Sequence, residues 1–128
     1  MESGVNKAIL LVGHGSKYED AGKSMARLAE DIKTHFTDCL VEICFLSMCP
    51  PGIEETVSKC VERGVNEITL MPFFVLDGFH VRKDIPNLIH KYSAKHTGVT
   101  FKYAAYLGYD ELLSKLLIKR IEKAEALK

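Results

Sequence analysis

Residues 8–16 read AILLVGHGS, and this stretch decides the fold. The apolar run over residues 8–12 is too short for a helix, and it lacks the alternation of a strand that has one face in water. A continuous apolar run that stops at a glycine is typical of a strand covered on both faces, as in a parallel sheet. We therefore predict a buried parallel strand over residues 8–12.

Similar runs return further along the chain and predict more strands. These runs are LVEICFL at residues 40–46, EITLMPFF at 67–74 and VTFKYAAYL at 99–107. The last run is the least hydrophobic, which favours a position at the edge of the sheet. Apolar residues at spacings of three and four predict helices that begin at about residues 19, 51, 85 and 110. Four strands alternating with four helices predict an α/β domain, a flavodoxin-like four-stranded parallel sheet with helices on both faces.

Length and charge limit the classes of protein that the chain can belong to. A chain of 128 residues fits one domain over residues 1–128, with loose ends at 1–7 and 123–128. Its 17 Lys and Arg balance 17 Asp and Glu, which is unlike the basic surface that nucleic-acid binding needs. No apolar stretch is long enough for a membrane span, and the amino terminus does not resemble a signal peptide. We expect a cytoplasmic protein with no nucleic-acid or membrane partner.

The cysteines raise the question of a metal cluster. Cys39, Cys44 and Cys49 recur every five residues, and Cys60 follows, but no C-x-x-C pair is present. On a strand, a spacing of five places successive side chains on opposite faces, which prevents convergence on one metal. The pattern therefore favours free, partly buried thiols in a reducing cytoplasm.

Two histidines stand directly after predicted strands. His14 lies between Gly13 and Gly15 after the first strand, and His80 follows Gly78 after the third. Glycines on both sides of a histidine remove side-chain bulk and permit close approach of a ligand. Parallel sheets bind ligands beyond the carboxyl ends of their strands, so the two imidazoles converge on one crevice if these strands are neighbours.

Imidazole at such an edge supports more than one chemistry. It binds divalent metals from iron to zinc, and it accepts a proton near neutral pH. The alternative is that each histidine is merely solvated or caps its loop, although two at matching strand ends favour a function. A histidine phosphatase also places a histidine after its first strand, but Gly13 here stands where that class has arginine.

Two motifs carry a resemblance to a known family. LLVGHGS at residues 10–16 and MPFFVLDGFHVRKDIP at residues 71–86 resemble the two signatures of sirohydrochlorin chelatases. The similarity covers most of the chain, and the length resembles that of the small, single-half sirohydrochlorin cobaltochelatases. The resemblance implies a chelatase-like domain that corresponds to one half of the longer, two-halved members of the family. It also implies an enzyme, a lyase, of tetrapyrrole biosynthesis.

The implied reaction is the ATP-independent insertion of a divalent metal into sirohydrochlorin, with Co²⁺ ahead of Ni²⁺ or Fe²⁺ and no prosthetic group. The product would serve cobalamin, sirohaem or nickel tetrapyrrole synthesis. By this resemblance, His14 and His80 match the family's catalytic and metal-binding histidines. The residues expected to bind the carboxylates and the ring of the substrate are Gly15, Ser16, Lys17, Gly78, Phe79, Arg82 and Lys83. Phe73 and Phe74 fit the macrocycle or the core equally well.

The chain also departs from its apparent family. Relatives commonly carry acidic residues after the second strand, where this chain has Ser47 and Pro50, with Met48 and Cys49 between them. The preferred metal therefore stays open. Longer relatives contain two halves in one chain, so a single half is expected to form a symmetric homodimer with His14 and His80 facing a shared cleft. The alternative to an enzyme is a non-catalytic binder of metal or tetrapyrrole.

Overall fold

The structure, a computed structural model, describes residues 6–15, 19–46, 50–75, 83 and 85–127, and for residues 19–21 it describes only the backbone. The strands are β1 (Lys7–Gly13), β2 (Cys39–Phe45), β3 (Glu67–Pro72) and β4 (Thr100–Tyr103). The helices are α1 (Glu19–His35), α2 (Ile53–Glu62), α3 (Ile85–Lys95) and α4 (Glu111–Ala126). Strands and helices alternate along the chain, as the sequence predicts.

The strands form one parallel sheet in the order β2-β1-β3-β4. The apolar run around residues 8–12 is therefore a central strand, and β4 is an edge strand, as its lower hydrophobicity predicts. The chain passes from β1 to the neighbour on one side and later to β3 on the other side. The strand order consequently reverses beside β1, which is where sheets of this kind bind ligands.

Side chains of the strands alternate between two faces that are covered to different degrees. On one face, here called the α2/α3 face, helices α2 and α3 pack on a continuous core that includes Leu10, Val12, Cys44, Ile68 and Leu70. On the other, the α1 face, a smaller cluster joins Met25 of α1 to Leu11 and Phe45. The α2/α3 face therefore holds most of the core.

Several boundaries differ from the predicted ones for local reasons. β3 ends at Pro72 rather than at residue 74, because proline has no N–H to continue the ladder. β4 ends at Tyr103 rather than at residue 107, and the chain after it runs on toward the carboxyl end of β3. Helix α2 begins at Ile53, and Gly52 is its N-cap, with the Gly52 N–H donating to Glu55 Oε1 at 2.8 Å.

Regular structure also extends into both predicted loose ends. Lys7 is the first residue of β1, and α4 continues to Ala126, so the chain is helical over residues 123–126. Lysine, glutamate and alanine are strong helix formers, which accounts for the longer helix. Asp110 is the N-cap of α4, and its carboxylate accepts a hydrogen bond from Leu112 N at 2.8 Å.

The described cysteines are free thiols that belong to the packed structure. Cys39 pairs with Lys7 and Cys44 with Val12, so the two side chains lie on opposite faces of β2, as their spacing predicts. Cys44 and Cys60 are both buried in the core of the α2/α3 face. Burial, together with the nearby Cys60 and Glu42, raises the pKa of Cys44 to about 12. Within the described residues, no helix is long and apolar enough to span a bilayer.

Candidate functional site

The carboxyl end of β1 is held by hydrogen bonds from both neighbouring segments. The carbonyl of Gly13 accepts a hydrogen bond from Leu46 N at 3.0 Å, just after β2. The carbonyl of Val12 accepts one from Phe73 N at 2.8 Å, just after β3. The backbone is thus fixed on both sides up to the residue before His14. The imidazole therefore extends from a rigid support at the point where the strand order reverses.

The two glycines beside His14 have different physical roles. Gly13 is buried, and a Cβ there would lie 2.7 Å from Met25 Sδ and 3.1 Å from Phe45 Cδ1. The absence of a side chain at Gly13 therefore lets α1 pack closely on the sheet, and the role of this glycine in ligand approach stays a prediction. Gly15 has a φ of 113°, a backbone conformation that side chains with a Cβ rarely adopt. This backbone conformation therefore favours glycine at position 15.

The side chain of His14 is exposed and meets an aromatic ring from the segment after β3. The His14 and Phe74 rings lie edge to face, with centroids 6.3 Å apart and an interplanar angle of 76°. Phe74 is half-buried, whereas Phe73 is 39% exposed and so is not a core residue. Residues that follow β1 and β3 therefore meet at this edge, as expected of neighbouring strands.

The structure describes part of the predicted set of site residues. His14 and Gly15 lie at the end of β1, and Lys83 is exposed shortly before α3. The remaining predicted residues lie outside the described part of the chain: Ser16, Lys17, Gly78, Phe79, His80 and Arg82. Because β1 and β3 are adjacent, the convergence of His14 with His80 stays a prediction that the topology favours.

Other potential metal ligands are sparse in the described residues. Within them, no three side chains of His, Cys, Asp or Glu are grouped closely enough to hold a metal ion. Ser47, Met48 and Cys49 lie outside the described residues, and Pro50 is exposed.

A cleft between α2 and α3 is a feature that sequence reasoning missed. It has a volume of about 630 Å³, and its lining includes Leu46, Ile53, Glu54, Asn87 and Lys91. Glu54 Oε1 lies 3.9 Å from Lys91 Nζ, so the negative charge of Glu54 is partly compensated across the cleft. His14 does not line this cleft. We therefore place the candidate site at the end of β1, where an imidazole is exposed, and regard the cleft as separate.

The fold and the exposed histidine define an α/β protein with its site beyond the carboxyl ends of a parallel sheet. The model of the CbiX family matches residues 8–124, which is nearly the whole chain. The protein therefore belongs to the CbiX family, and the resemblance seen in the sequence is confirmed.

Three relatives show how the chain compares with known proteins. It is 35% identical to the sirohydrochlorin cobaltochelatase of Sulfolobus acidocaldarius, covering 91% of this chain and 90% of the relative. It is 32% identical to the sirohydrochlorin ferrochelatase of Bacillus subtilis, covering 92% of this chain but 45% of the relative. It also matches the crystal structure of the sirohydrochlorin chelatase SirB from Bacillus subtilis subspecies spizizenii in complex with cobalt. That match has a TM-score of 0.84 at 31% identity and covers 92% of this chain and 50% of the SirB chain. The chain thus spans about half the length of its Bacillus relatives.

Proposed function

We propose that this protein catalyses the ATP-independent insertion of a divalent metal into sirohydrochlorin, with Co²⁺ ahead of Fe²⁺ or Ni²⁺ as the metal substrate. The observation that carries the proposal is the exposed His14 at the end of the central strand, in a chain of the CbiX family. The relatives that it matches are named for cobalt and for iron, which supports either metal. Nickel is supported by the family resemblance of the sequence and by the affinity of imidazole for this metal.

The chemistry requires groups that accept protons and groups that hold the metal. As the metal enters the ring, its bonds to protein ligands and water are replaced by bonds to the four ring nitrogens. Two ring N–H bonds break in the process, and the two protons pass to bases at the site or to water. A neutral imidazole has one lone pair, so at any moment it binds the metal or accepts a proton. We assign these roles to His14 and His80 together. Two protein ligands leave the remaining coordination positions of the ion open, which allows its transfer to the macrocycle.

The substrate has many carboxylates on its rim, and we propose that residues around the two histidines bind them. Backbone N–H groups after Gly15 and Gly78 would donate to these carboxylates, together with Ser16, Lys17, Arg82 and Lys83. The exposure of Lys83 near the start of α3 supports this role. Phe79 would face the macrocycle. Phe74, whose ring lies edge to face with that of His14, would support the imidazole from the side of β3.

We further propose a symmetric homodimer in the cytoplasm that needs no prosthetic group. The chain covers about half of the Bacillus chelatases, which supports a second copy in place of their other half. The buried free thiols of Cys44 and Cys60 suit a reducing compartment. The balance of acidic and basic residues supports a small-molecule substrate rather than a nucleic acid.

The test is spectrophotometric insertion of Co²⁺, Ni²⁺ and Fe²⁺ into sirohydrochlorin. His14→Ala and His80→Ala are each expected to reduce the enzymatic rate by about 10²–10⁴-fold, the usual contribution of a positioned acid or base. His35→Ala is the matched control, because His35 is the last residue of α1 and lies away from the carboxyl end of β1. Its ring packs against that of Phe36, with the two ring centroids 4.7 Å apart. This variant should keep the full rate.

The same assay separates the alternative functions. A non-catalytic binder would take up metal or tetrapyrrole without accelerating insertion, so a wild-type rate equal to the spontaneous rate for every metal contradicts the proposal. A histidine phosphatase would release phosphate from a generic ester without added metal. Phosphate release that disappears in His14→Ala would favour that class instead.

A further inference from the structure

The segment between β4 and α4 is attached to the chain that follows β3. This segment, residues 104–108, is here called the β4–α4 segment, and two consecutive N–H groups in it bind the same neighbour. Leu107 N donates to the Phe74 carbonyl at 2.8 Å, and Gly108 N donates to the Val75 carbonyl at 2.7 Å. Because β3 has already ended, both acceptors lie outside the sheet, and these hydrogen bonds hold the backbone there in place.

Phe74 connects the β4–α4 segment to His14. Its ring lies edge to face with the imidazole, and the centroid distance of 6.3 Å is within the range of a favourable aromatic pair. The side chain of His14 is exposed, and an exposed side chain samples several rotamers unless a neighbour restricts it. Phe74 is half-buried, and the preceding residue, Phe73, donates its N–H to the Val12 carbonyl at 2.8 Å. The backbone around Phe74 is therefore held from β1 and from the β4–α4 segment, so the ring can restrict the imidazole.

The conformation of Gly108 gives the β4–α4 segment its shape. Gly108 has a φ of 53°, in the left-handed region that side chains with a Cβ adopt only at a cost. A Cβ at this position would also lie 3.1 Å from Tyr106 Cε2, and Tyr106 is half-buried. The backbone and the available space both favour glycine, and the resulting turn directs two successive N–H groups at the chain after β3. A side chain at position 108 should therefore displace these hydrogen bonds.

We propose that the β4–α4 segment is a positioning element for His14, and that it acts through the backbone and the ring of Phe74. The inference rests on the role of His14 in the proposed function and adds residues outside the set that would bind the metal and the tetrapyrrole. Passing a metal from an imidazole to the ring nitrogens requires the imidazole in one orientation, and a misplacement of about 1 Å can reduce a rate about a hundredfold. Phe74 restricts that orientation, and the turn at Gly108 keeps Phe74 in place.

Insertion kinetics test the proposal with two substitutions of Phe74 and one in the β4–α4 segment. Phe74→Leu removes the ring and keeps an apolar side chain, so kcat for Co²⁺ insertion should fall about ten- to a hundredfold. KM for sirohydrochlorin should stay within about twofold, because the lost contact is with the imidazole and not with the substrate. Phe74→Tyr keeps the ring and should keep kcat within about threefold of the wild type. Gly108→Ala leaves every aromatic ring in the sequence and should lower kcat about tenfold through the displaced hydrogen bonds.

Two matched controls come from the opposite end of the sheet. Phe36→Leu removes the ring of a similar pair, since His35 and Phe36 lie edge to face with an interplanar angle of 75°. Gly64→Ala places a side chain at another positive φ, 90°, where a Cβ meets nothing within 4 Å. Phe36 precedes β2 and Gly64 precedes β3, so both lie near the amino ends of strands, whereas His14 follows the carboxyl end of β1. Both variants should keep the wild-type kcat.

NMR of the histidine rings follows the position of His14 without metal or tetrapyrrole. In protein labelled with ¹³C in its histidine rings, the His14 signals are assigned by their loss in His14→Ala. Phe74→Leu should move these signals toward the shifts of a histidine in an unfolded chain, because the ring current of Phe74 is lost. Gly108→Ala should move them in the same direction although it removes no ring. Phe36→Leu should move the His35 signals and leave those of His14 unchanged.

The outcomes separate this inference from the proposed function. A raised KM with an unchanged kcat in Phe74→Leu would mean that the ring contacts the substrate, and would overturn the positioning role. A Gly108→Ala variant that is folded by circular dichroism and keeps either the wild-type kcat or the wild-type His14 signals would overturn the role of the β4–α4 segment. If Phe74→Leu does not fold, Gly108→Ala decides by the same two measurements. If the wild type inserts no metal, the proposed function fails, and the His14 signals alone decide whether the segment positions the imidazole.

Discussion

The two faces of the sheet come from the same strands but are completed in different ways. On the α2/α3 face, Leu10, Ile68 and Leu70 have no exposed surface, and two helices of the same chain cover them. On the α1 face, Ile9 and Thr69 stay half-buried beside a single covering helix. The α2/α3 face is thus fully covered by helices of the same chain, while the α1 face is only partly covered. Neighbouring residues of one strand can therefore differ in what covers them.

Adjacent leucines of β1 give the largest expected contrast between the faces. Leu10→Ala should lower the free energy of unfolding by about 4 kcal/mol, because it leaves a cavity in a core closed on all sides. Leu11→Ala should lower the free energy of unfolding by about 2–3 kcal/mol, because the single helix that covers the α1 face can move to fill the space. Denaturant unfolding of both variants measures the difference. Equal losses would mean that the two faces are equally closed.

Gly13→Ala tests how tightly α1 packs on its face. The added methyl group would meet Met25 Sδ and Phe45 Cδ1, and we expect a loss of about 2 kcal/mol in the free energy of unfolding. Gly98→Ala is the control, because a Cβ at Gly98 meets nothing within 4 Å. It should change stability by less than about 0.5 kcal/mol. A Gly13→Ala variant as stable as the control would show that α1 packs loosely.

The smallest expected effect is a pH dependence that comes from the α2/α3 face. Burial raises the pKa of Cys44 from its ordinary value of 9.0 to about 12. The folded state therefore keeps a proton that the unfolded chain loses, so this contribution to stability is complete below pH 9 and declines as the pH rises toward 12. Cys44→Ala should flatten the fall in unfolding free energy above pH 9 by at most about 1.4 kcal/mol per pH unit. Cys39 is half-buried on the α1 face, so Cys39→Ala should flatten the fall in unfolding free energy less than Cys44→Ala does. An equal effect of the two substitutions would contradict the difference in burial between Cys39 and Cys44.

Most of the fold follows from local patterns in the sequence. The apolar run at residues 8–12 predicts a central strand, and the weaker run at 99–107 predicts an edge strand, because burial on both faces requires a continuous apolar stretch. The ends of the strands do not follow from local patterns in the same way. Pro72 stops β3 by its missing N–H, and β4 stops where the chain turns toward Phe74, which depends on contacts distant in sequence.

One described feature of the candidate site also follows from the sequence. The position of His14 at a strand end follows from the sequence, and its exposure is visible only in the fold. The motif does not distinguish the roles of Gly13 and Gly15. Gly13 allows close packing of Met25 from α1, and Gly15 adopts a positive φ angle, and both features are visible only in the structure. The cleft between α2 and α3 was missed for the same reason, since Ile53 and Lys91 are far apart along the chain.

The arrangement of the buried residues along the chain has a consequence for the order of folding during synthesis. The buried core residues of the described structure lie between Ala8 and Tyr92, and none belongs to α4. The ribosome makes the chain from its amino end, and a domain can fold as soon as its core residues have emerged. The sheet with α1, α2 and α3 can therefore be complete before α4 is released. Helix α4 is then the last element to form, after the core has closed.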